Sequence, residues 1–191
     1  MLLTVSVEGI QPGKPIDPRF AFCTADGQGG SMPAGNISPA IKWSGAPADV
    51  ESFAVICVDR DVPADFSNAN RADAVIEEDA PRRNFYHWLM VDIPPIISHL
   101  DAGTEGYGLV GKNSYGDSAK GKNGYDGPCP PFNDLRLHRY HFIVYALGVN
   151  TLNLPKGFTG EQAEKAIAGH ILAHGEVIAT YTTNPKVRQV A

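Results

Sequence analysis

The ten residues His138-Arg139-Tyr140-His141-Phe142-Ile143-Val144-Tyr145-Ala146-Leu147 decide the fold class. They are crowded with β-branched and aromatic side chains, which fit a pleated surface better than a helix. They read as a strand that is polar where it starts and apolar where it ends. Two earlier stretches repeat the theme. Ser52–Val58 (SFAVICV) is a near-continuous apolar run of strand length, as expected of a strand buried on both faces. His87–Ile93 (HWLMVDI) is another, stopped by Pro94-Pro95. Shorter strands are expected at Leu2–Val7, Ile41–Trp43 and Val177–Thr182. One helix is expected: Thr159 with Gln162 three residues on forms a capping box, and Ala163, Ala166, Ile167 and His170 then share a face, with an end near Gly175. The reading is a single mainly β domain over residues 1–191, antiparallel, with this helix packed on a sheet.

The connections carry their own signals. Residues 9–39 are rich in Gly, Pro, Ser and Asn and read as loops and short extended pieces. Ala64–Tyr86 is charged (Glu77, Glu78, Asp79, Arg82, Arg83) and has no period, which reads as a surface excursion or a partner-binding arm. Gly103–Gly127 has glycines every few residues with Tyr107, Tyr115 and Tyr125 among them, and is too long for a passive connector.

Composition narrows the classes. Of 191 residues 43% are hydrophobic and 19% charged, a globular balance. The net charge of -5 argues against nucleic acid as a partner. No apolar run approaches the roughly 20 residues of a membrane helix. Met1–Ile10 meets Glu8 without a basic leader, which reads as no signal peptide. Cys23, Cys57 and Cys129 are odd in number and lack metal spacing, so they read as reduced thiols of a cytoplasmic protein.

Three strands deliver polar groups at their ends: Asp59-Arg60-Asp61-Val62-Pro63, Tyr86-His87-Trp88 and His138-Arg139-Tyr140. Between the last two lies Gly127-Pro128-Cys129-Pro130-Pro131, in which only Gly127 and Cys129 have an N–H to offer. His138 and Tyr140 are two apart on a strand and share a face. Together Asp59, His87, Gly127, Cys129, His138 and Tyr140 suggest a donor-rich cup for phosphate or carboxylate, with Asp59 either fixing a histidine tautomer or sharing a proton with the anion. Either role predicts tighter anion binding as pH falls below about 7. Asp61 reads first as a turn carboxylate and Trp88 as core. Cys129 reads as a small buried thiol, with a nucleophile as the alternative. His170 and His174, four apart, lack a third ligand, so no metal is expected and no cofactor is implied. Val62-Pro63, closing a turn beside a pocket, is expected to be cis.

In the order they occur, these motifs resemble the phosphatidylethanolamine-binding protein family, in its bacterial Raf-kinase-inhibitor-like branch. Ser38-Pro39-Ala40-Ile41-Lys42-Trp43 is similar to the family's opening motif, Asp59-Arg60-Asp61-Val62-Pro63 to its Asp-Pro-Asp-x-Pro box, and His87-Trp88-Leu89-Met90-Val91-Asp92-Ile93-Pro94 to its His-Trp strand. Tyr125-Asp126-Gly127-Pro128-Cys129-Pro130-Pro131 followed by His138-Arg139-Tyr140 is similar to its Gly-Pro-Cys-Pro-Pro and His-Arg-Tyr segments, and Gly169-His170 and Tyr181 fit its C-terminal portion. The resemblance implies a central antiparallel Greek-key sheet, a smaller sheet and peripheral helices. It implies a small cavity for phosphate, acetate or a phosphorylated head group, lined by Asp59, His87, Gly127, Cys129, His138 and Tyr140, with Asp61, Pro63, Trp88 and Pro128 in its wall. It also implies a homodimer. Two features depart from the pattern. Arg60 stands where proline is common and sets a cation beside the cup, and the charged 64–86 segment is longer than in compact members.

Three functions follow. The first is a non-enzymatic binding protein for phosphate or phosphorylated head groups. The second is an interaction module that inhibits a kinase or protease through residues 64–86 together with the rim of the cup. The third is an acid–base hydrolase using Asp59 with His87 or His138.

Overall fold

The computed structural model describes residues 2–116 and 124–187. In chain order the strands are β1 (Thr4–Val7), β2 (Cys23–Ala25), β3 (Ser31–Pro33), β4 (Ile41–Ser44), β5 (Ser52–Pro63), β6 (Arg82–Ile93), β7 (His99–Leu100), β8 (Leu109–Val110), β9 (His138–Leu147) and β10 (Ile171–Tyr181), with helix α1 (Gly160–Ile167) before the last. They form three antiparallel sheets, ordered β10-β9-β5-β6-β8, β1-β4-β7 and β2-β3. In the largest, β5, β6 and β8 follow one another and β9 returns beside β5, the Greek-key order.

The apolar run of β5 is explained by two cores. Phe53, Val55 and Cys57 pack with Trp43, Trp88, Met90 and Phe142 on the face covered by the three-stranded sheet. Ala54, Ile56 and Val58 pack with Leu89, Ile143, Phe158, Ala163 and Ile167 on the face covered by α1. Each successive side chain is buried, and alternation vanishes from the sequence. α1 begins where its capping box predicts: Gln162 N–H donates to Thr159 Oγ1 at 3.4 Å and Thr159 N–H to Gln162 Oε1 at 2.9 Å.

Several expected boundaries move. β5 runs five residues past Val58, and β6 starts at Arg82 rather than His87, so the excursion between them is 64–81. α1 stops at Ile167, and His170 and His174 fall in a turn and in β10. The alternating Ala173, Gly175, Val177, Ala179 and Tyr181 are the buried side of that strand. Among the described residues there is no cis peptide bond. Val62-Pro63 is trans because it does not close a turn: both residues pair with β6, at Arg83 and Arg82.

The cysteines are also corrected. Cys23 and Cys129 form a disulfide across 106 residues, and Cys57 alone is free and buried. A bridge between residues so far apart cannot be inferred from their spacing, and its presence removes the thiol argument for a reducing compartment. Among the described residues no helix is long and apolar enough to cross a membrane.

Candidate functional site

Two irregularities of the central sheet shape a cavity of about 400 Å³. On β6, His87 is an extra residue between the pairs Cys57–Trp88 and Val58–Tyr86. Such a bulge re-aims its side chain. On β5, Arg60 and Asp61 stand opposite Asn84 alone, between the pairs Asp59–Phe85 and Val62–Arg83. Regular alternation would put Asp59, Asp61 and Pro63 on one face. The bulge instead puts Asp59 and Val62 in the cavity and sends Asp61 elsewhere. The remaining lining is Phe66, Asn70, Arg83, Phe85, His87, Ser114, Tyr115, Cys129, Pro130, Pro131 and Tyr140.

His87 is the histidine of the lining. Its Nδ1 lies 2.7 Å from the Asp126 carbonyl. A carbonyl only accepts, so Nδ1 carries the proton and donates. Among the described residues Nε2, which is buried, has no hydrogen-bond partner. Burial holds the ring's pKa below the usual histidine value, although Asp59 and the Asp126 and Gly127 backbone pull it upward. The loop behind the ring is fixed in turn. Asp126 N–H donates to the His87 carbonyl (3.0 Å), while Asn36 and Asn113 side chains donate to the Asp126 carboxylate at 2.7 and 2.9 Å. Gly127 N–H is taken by Asn36 Oδ1 at 2.8 Å. A Cβ on Gly127 would sit 1.9 Å from the Phe20 carbonyl oxygen, so only glycine permits this approach.

His138 is different. It is fully buried, with Nδ1 2.6 Å from Asp59 Oδ2 and Nε2 3.0 Å from Asp134 Oδ2. Both nitrogens face carboxylates, so both carry protons. Burial alone would lower its pKa, but Asp59 and Asp134 outweigh that and raise it to about 9. His138 is therefore a buried cation behind the cavity, not part of its lining, and it offsets the charge of Asp59, the one carboxylate in the lining among the described residues. Asp134 also binds Arg82 Nη1 at 2.6 Å. Tyr140 pairs with Asp59 across the β5–β9 ladder and does line the cavity; burial and then the Asp59 charge push its phenol up.

Four of the expected site residues, Asp59, His87, Cys129 and Tyr140, thus meet in one recess. The others lie outside it. Asp61 is a strand residue, not a turn carboxylate, held by Arg136 Nε at 3.1 Å and by Arg139 Nε and Nη2 at 2.9 Å each. Burial would raise its pKa, but these guanidiniums hold it below the usual carboxylate range. Pro63 lines a separate depression under the 64–81 loop. Trp88 packs into the core, edge-on to Tyr125. The Pro128 carbonyl accepts from Phe22 and Cys23 N–H groups and its residue is buried. Arg60 is exposed on the other side of β5, where its charge acts on Tyr145 rather than on the cup. The Cys129 sulfur is bonded to Cys23 and is no nucleophile in this form. No cluster of metal-ligating side chains occurs among the described residues.

The outer lining was not foreseen. Phe85 and Arg83 precede His87 at two-residue steps. Phe66 and Asn70 come from the 64–81 loop, which is bound to the site: Asn133 Nδ2 donates to the Asn68, Arg71 and Ala74 carbonyls, and Asn70 N–H donates to Asn133 Oδ1. Tyr115 donates to the Gly127 carbonyl at 2.9 Å and stacks against Phe22 at 4.8 Å.

A Greek-key sheet with a polar-floored recess beside it defines a β protein with a candidate ligand site at the end of its central strands. The family model "Phosphatidylethanolamine-binding protein" matches residues 7–182. A UPF0098 protein of Chlamydia muridarum is 35% identical over 169 residues, 88% of this chain and 91% of its own. The UPF0098 protein YbhB of Escherichia coli is 30% identical over 150 residues, 77% and 82% of the two chains. Among solved structures, Escherichia coli YbcL, described as a new member of the mammalian PEBP family, is similar with a TM-score of 0.73 at 25% identity, covering 95% of this chain and 99% of that one. A phosphatidylethanolamine-binding protein homologue of Chlamydia trachomatis gives 0.70 at 29% identity, covering 94% and 97%. The chain belongs to the phosphatidylethanolamine-binding protein family.

Proposed function

We propose that the recess binds a small oxyanion: inorganic phosphate, or the phosphomonoester of a phosphorylated head group. The observation that carries this reading is the Nε2 of His87, buried and without a hydrogen-bond partner among the described residues, on a ring that lines the cavity. A buried polar atom left in this state costs free energy, and a ligand that satisfies it recovers that cost. Asp59 is compatible with an anion because His138 offsets its charge. Neutral His87 accepting the P–OH proton of dihydrogen phosphate and protonated His87 donating to hydrogen phosphate are one complex with one shared proton. Where free phosphate is hydrogen phosphate and free His87 is neutral, that complex holds one proton more than the separate partners, so binding strengthens as pH falls from 8 toward 7.

The test is calorimetric titration with inorganic phosphate in two buffers of different ionisation heat. Proton uptake on binding, lost in His87→Gln, is the expected result. Absence of heat at millimolar phosphate, or a His87→Gln variant that behaves like the parent, contradicts the reading. A protein-binding role, such as inhibition of a kinase or protease, is favoured by Phe66 and Val75. These apolar side chains on the 64–81 loop are 42% and 48% exposed, and Phe66 also lines the cavity. A pull-down whose captured proteins vanish with Phe66→Ser and Val75→Ser would move the function to that loop.

A further inference from the structure

The recess is larger than a single small oxyanion requires. About 400 Å³ falls within the roughly 300–1,000 Å³ of sites that enclose whole organic molecules. Its long wall is one strand. Arg83, Phe85 and His87 all line the cavity from β6, while Asn84 is not in the lining and Tyr86 packs into the opposite core, beneath α1. From His87 to Arg83 is four strand residues, at most about 13 Å. Aromatic rings fill the space between. Phe85 lies 5.1 Å from the His87 ring and 5.0 Å from Tyr115, edge-on to the latter, and Phe66 also lines the cavity.

Arg83 is the group that this wall leaves unexplained. The neighbouring arginines are engaged: Arg82 binds Asp134, while Arg136 and Arg139 bind Asp61. Arg83 is exposed, meets no carboxylate among the described residues, and is positioned by the Phe66 ring, with its guanidinium carbon 5.2 Å from the ring centroid. An arginine held in place over a ring keeps its fork of donors available to a ligand at little entropic cost. Asn70 lines the same region.

We propose that Arg83 determines specificity: the site takes an aromatic phosphomonoester that carries a second acidic group at its far end. The phosphate occupies the His87 end, the ring of the ligand lies among Phe85, Tyr115 and Phe66, and the second anion meets Arg83. This rests on the oxyanion reading above and adds the class of molecule.

The experiment compares three probes by calorimetry: inorganic phosphate, phenyl phosphate and 4-(2-carboxyethyl)phenyl phosphate. The ring is expected to tighten binding about tenfold over inorganic phosphate. The carboxylate is expected to add a further factor of about five, as suits a partly exposed ion pair. In Arg83→Gln the ratio between the carboxylated and plain phenyl probes falls to near one, and in Arg83→Lys it is partly restored. If inorganic phosphate binds but the larger probes bind no tighter, the specificity proposal is wrong and the oxyanion reading stands. The same holds if the carboxylate gain survives in Arg83→Gln. If no probe binds, both are wrong.

Discussion

Two buried histidines 51 residues apart in sequence are held in opposite ways. His87 has one nitrogen committed to a carbonyl and the other without a hydrogen-bond partner among the described residues; His138 has both nitrogens committed to carboxylates. The first is tuned to be neutral and available. The second is a fixed cation whose partners are Asp59 on β5 and Asp134 in the loop before β9. Their pKa values move in opposite directions for that reason. Burial does not by itself say what a histidine does. What matters is whether the protein has already used its nitrogens.

The largest effect that breaks the comparison is on stability. His138→Ala should destabilise the fold by about 3–5 kcal/mol, because it leaves Asp59 and Asp134 facing each other without the cation between them. His87→Gln should cost about 1 kcal/mol, the worth of one hydrogen bond. Urea unfolding of both variants at pH 7 measures the difference, and equal losses would mean that the two rings play the same part.

Next in size is the disulfide. Reduction of Cys23–Cys129 removes a cross-link over 106 residues and should destabilise by about 2–4 kcal/mol. Cys129 lines the cavity, so reduction also loosens the Pro128–Pro131 wall. Thermal melts with and without reductant test this, and an unchanged midpoint would show that the bridge carries no stability.

The pH dependence sharpens the contrast further. His138 has a raised pKa in the folded state, so its contribution is complete below about 6.5, the unfolded value, and is lost as pH climbs through about 9. His87 has a lowered pKa, so its contribution is complete above about 6.5 and is lost as pH falls through the folded value. Melting temperature should therefore decline from pH 7 to 9.5, and that alkaline decline should shrink in His138→Gln.

Much of this was readable in advance, and the failures have physical causes. The long strands could be found because both of their faces are buried, which leaves uninterrupted apolar runs at Ser52–Val58 and His87–Ile93. The capping box marked where α1 begins. The grouping of Asp59, His87, Cys129 and Tyr140 was legible because these residues sit where apolar strands become polar, in motifs resembling a known family. Strand bulges were not legible. One inserts His87 and another sets Arg60 and Asp61 against Asn84 alone, and each changes which neighbours share a face. The resemblance placed Asp61 and Pro63 in the wall, where the bulge instead presents Val62. Arg83 and Phe85 were hidden because the polar start of β6 read as part of a charged excursion. The partner of Cys129 and the two carboxylates around His138 come from distant segments, and only the fold brings them together.

The most direct test of the contrast is the protonation state of the two rings, read by long-range proton–nitrogen NMR on imidazole-labelled protein at pH 7 with and without inorganic phosphate. Without phosphate, His87 should show the Nδ1–H tautomer and His138 two protonated nitrogens. With phosphate, the His87 Nε2 resonance should shift strongly and His138 should stay as it was. A response confined to His138, or no response from His87 at saturating phosphate, would contradict the account.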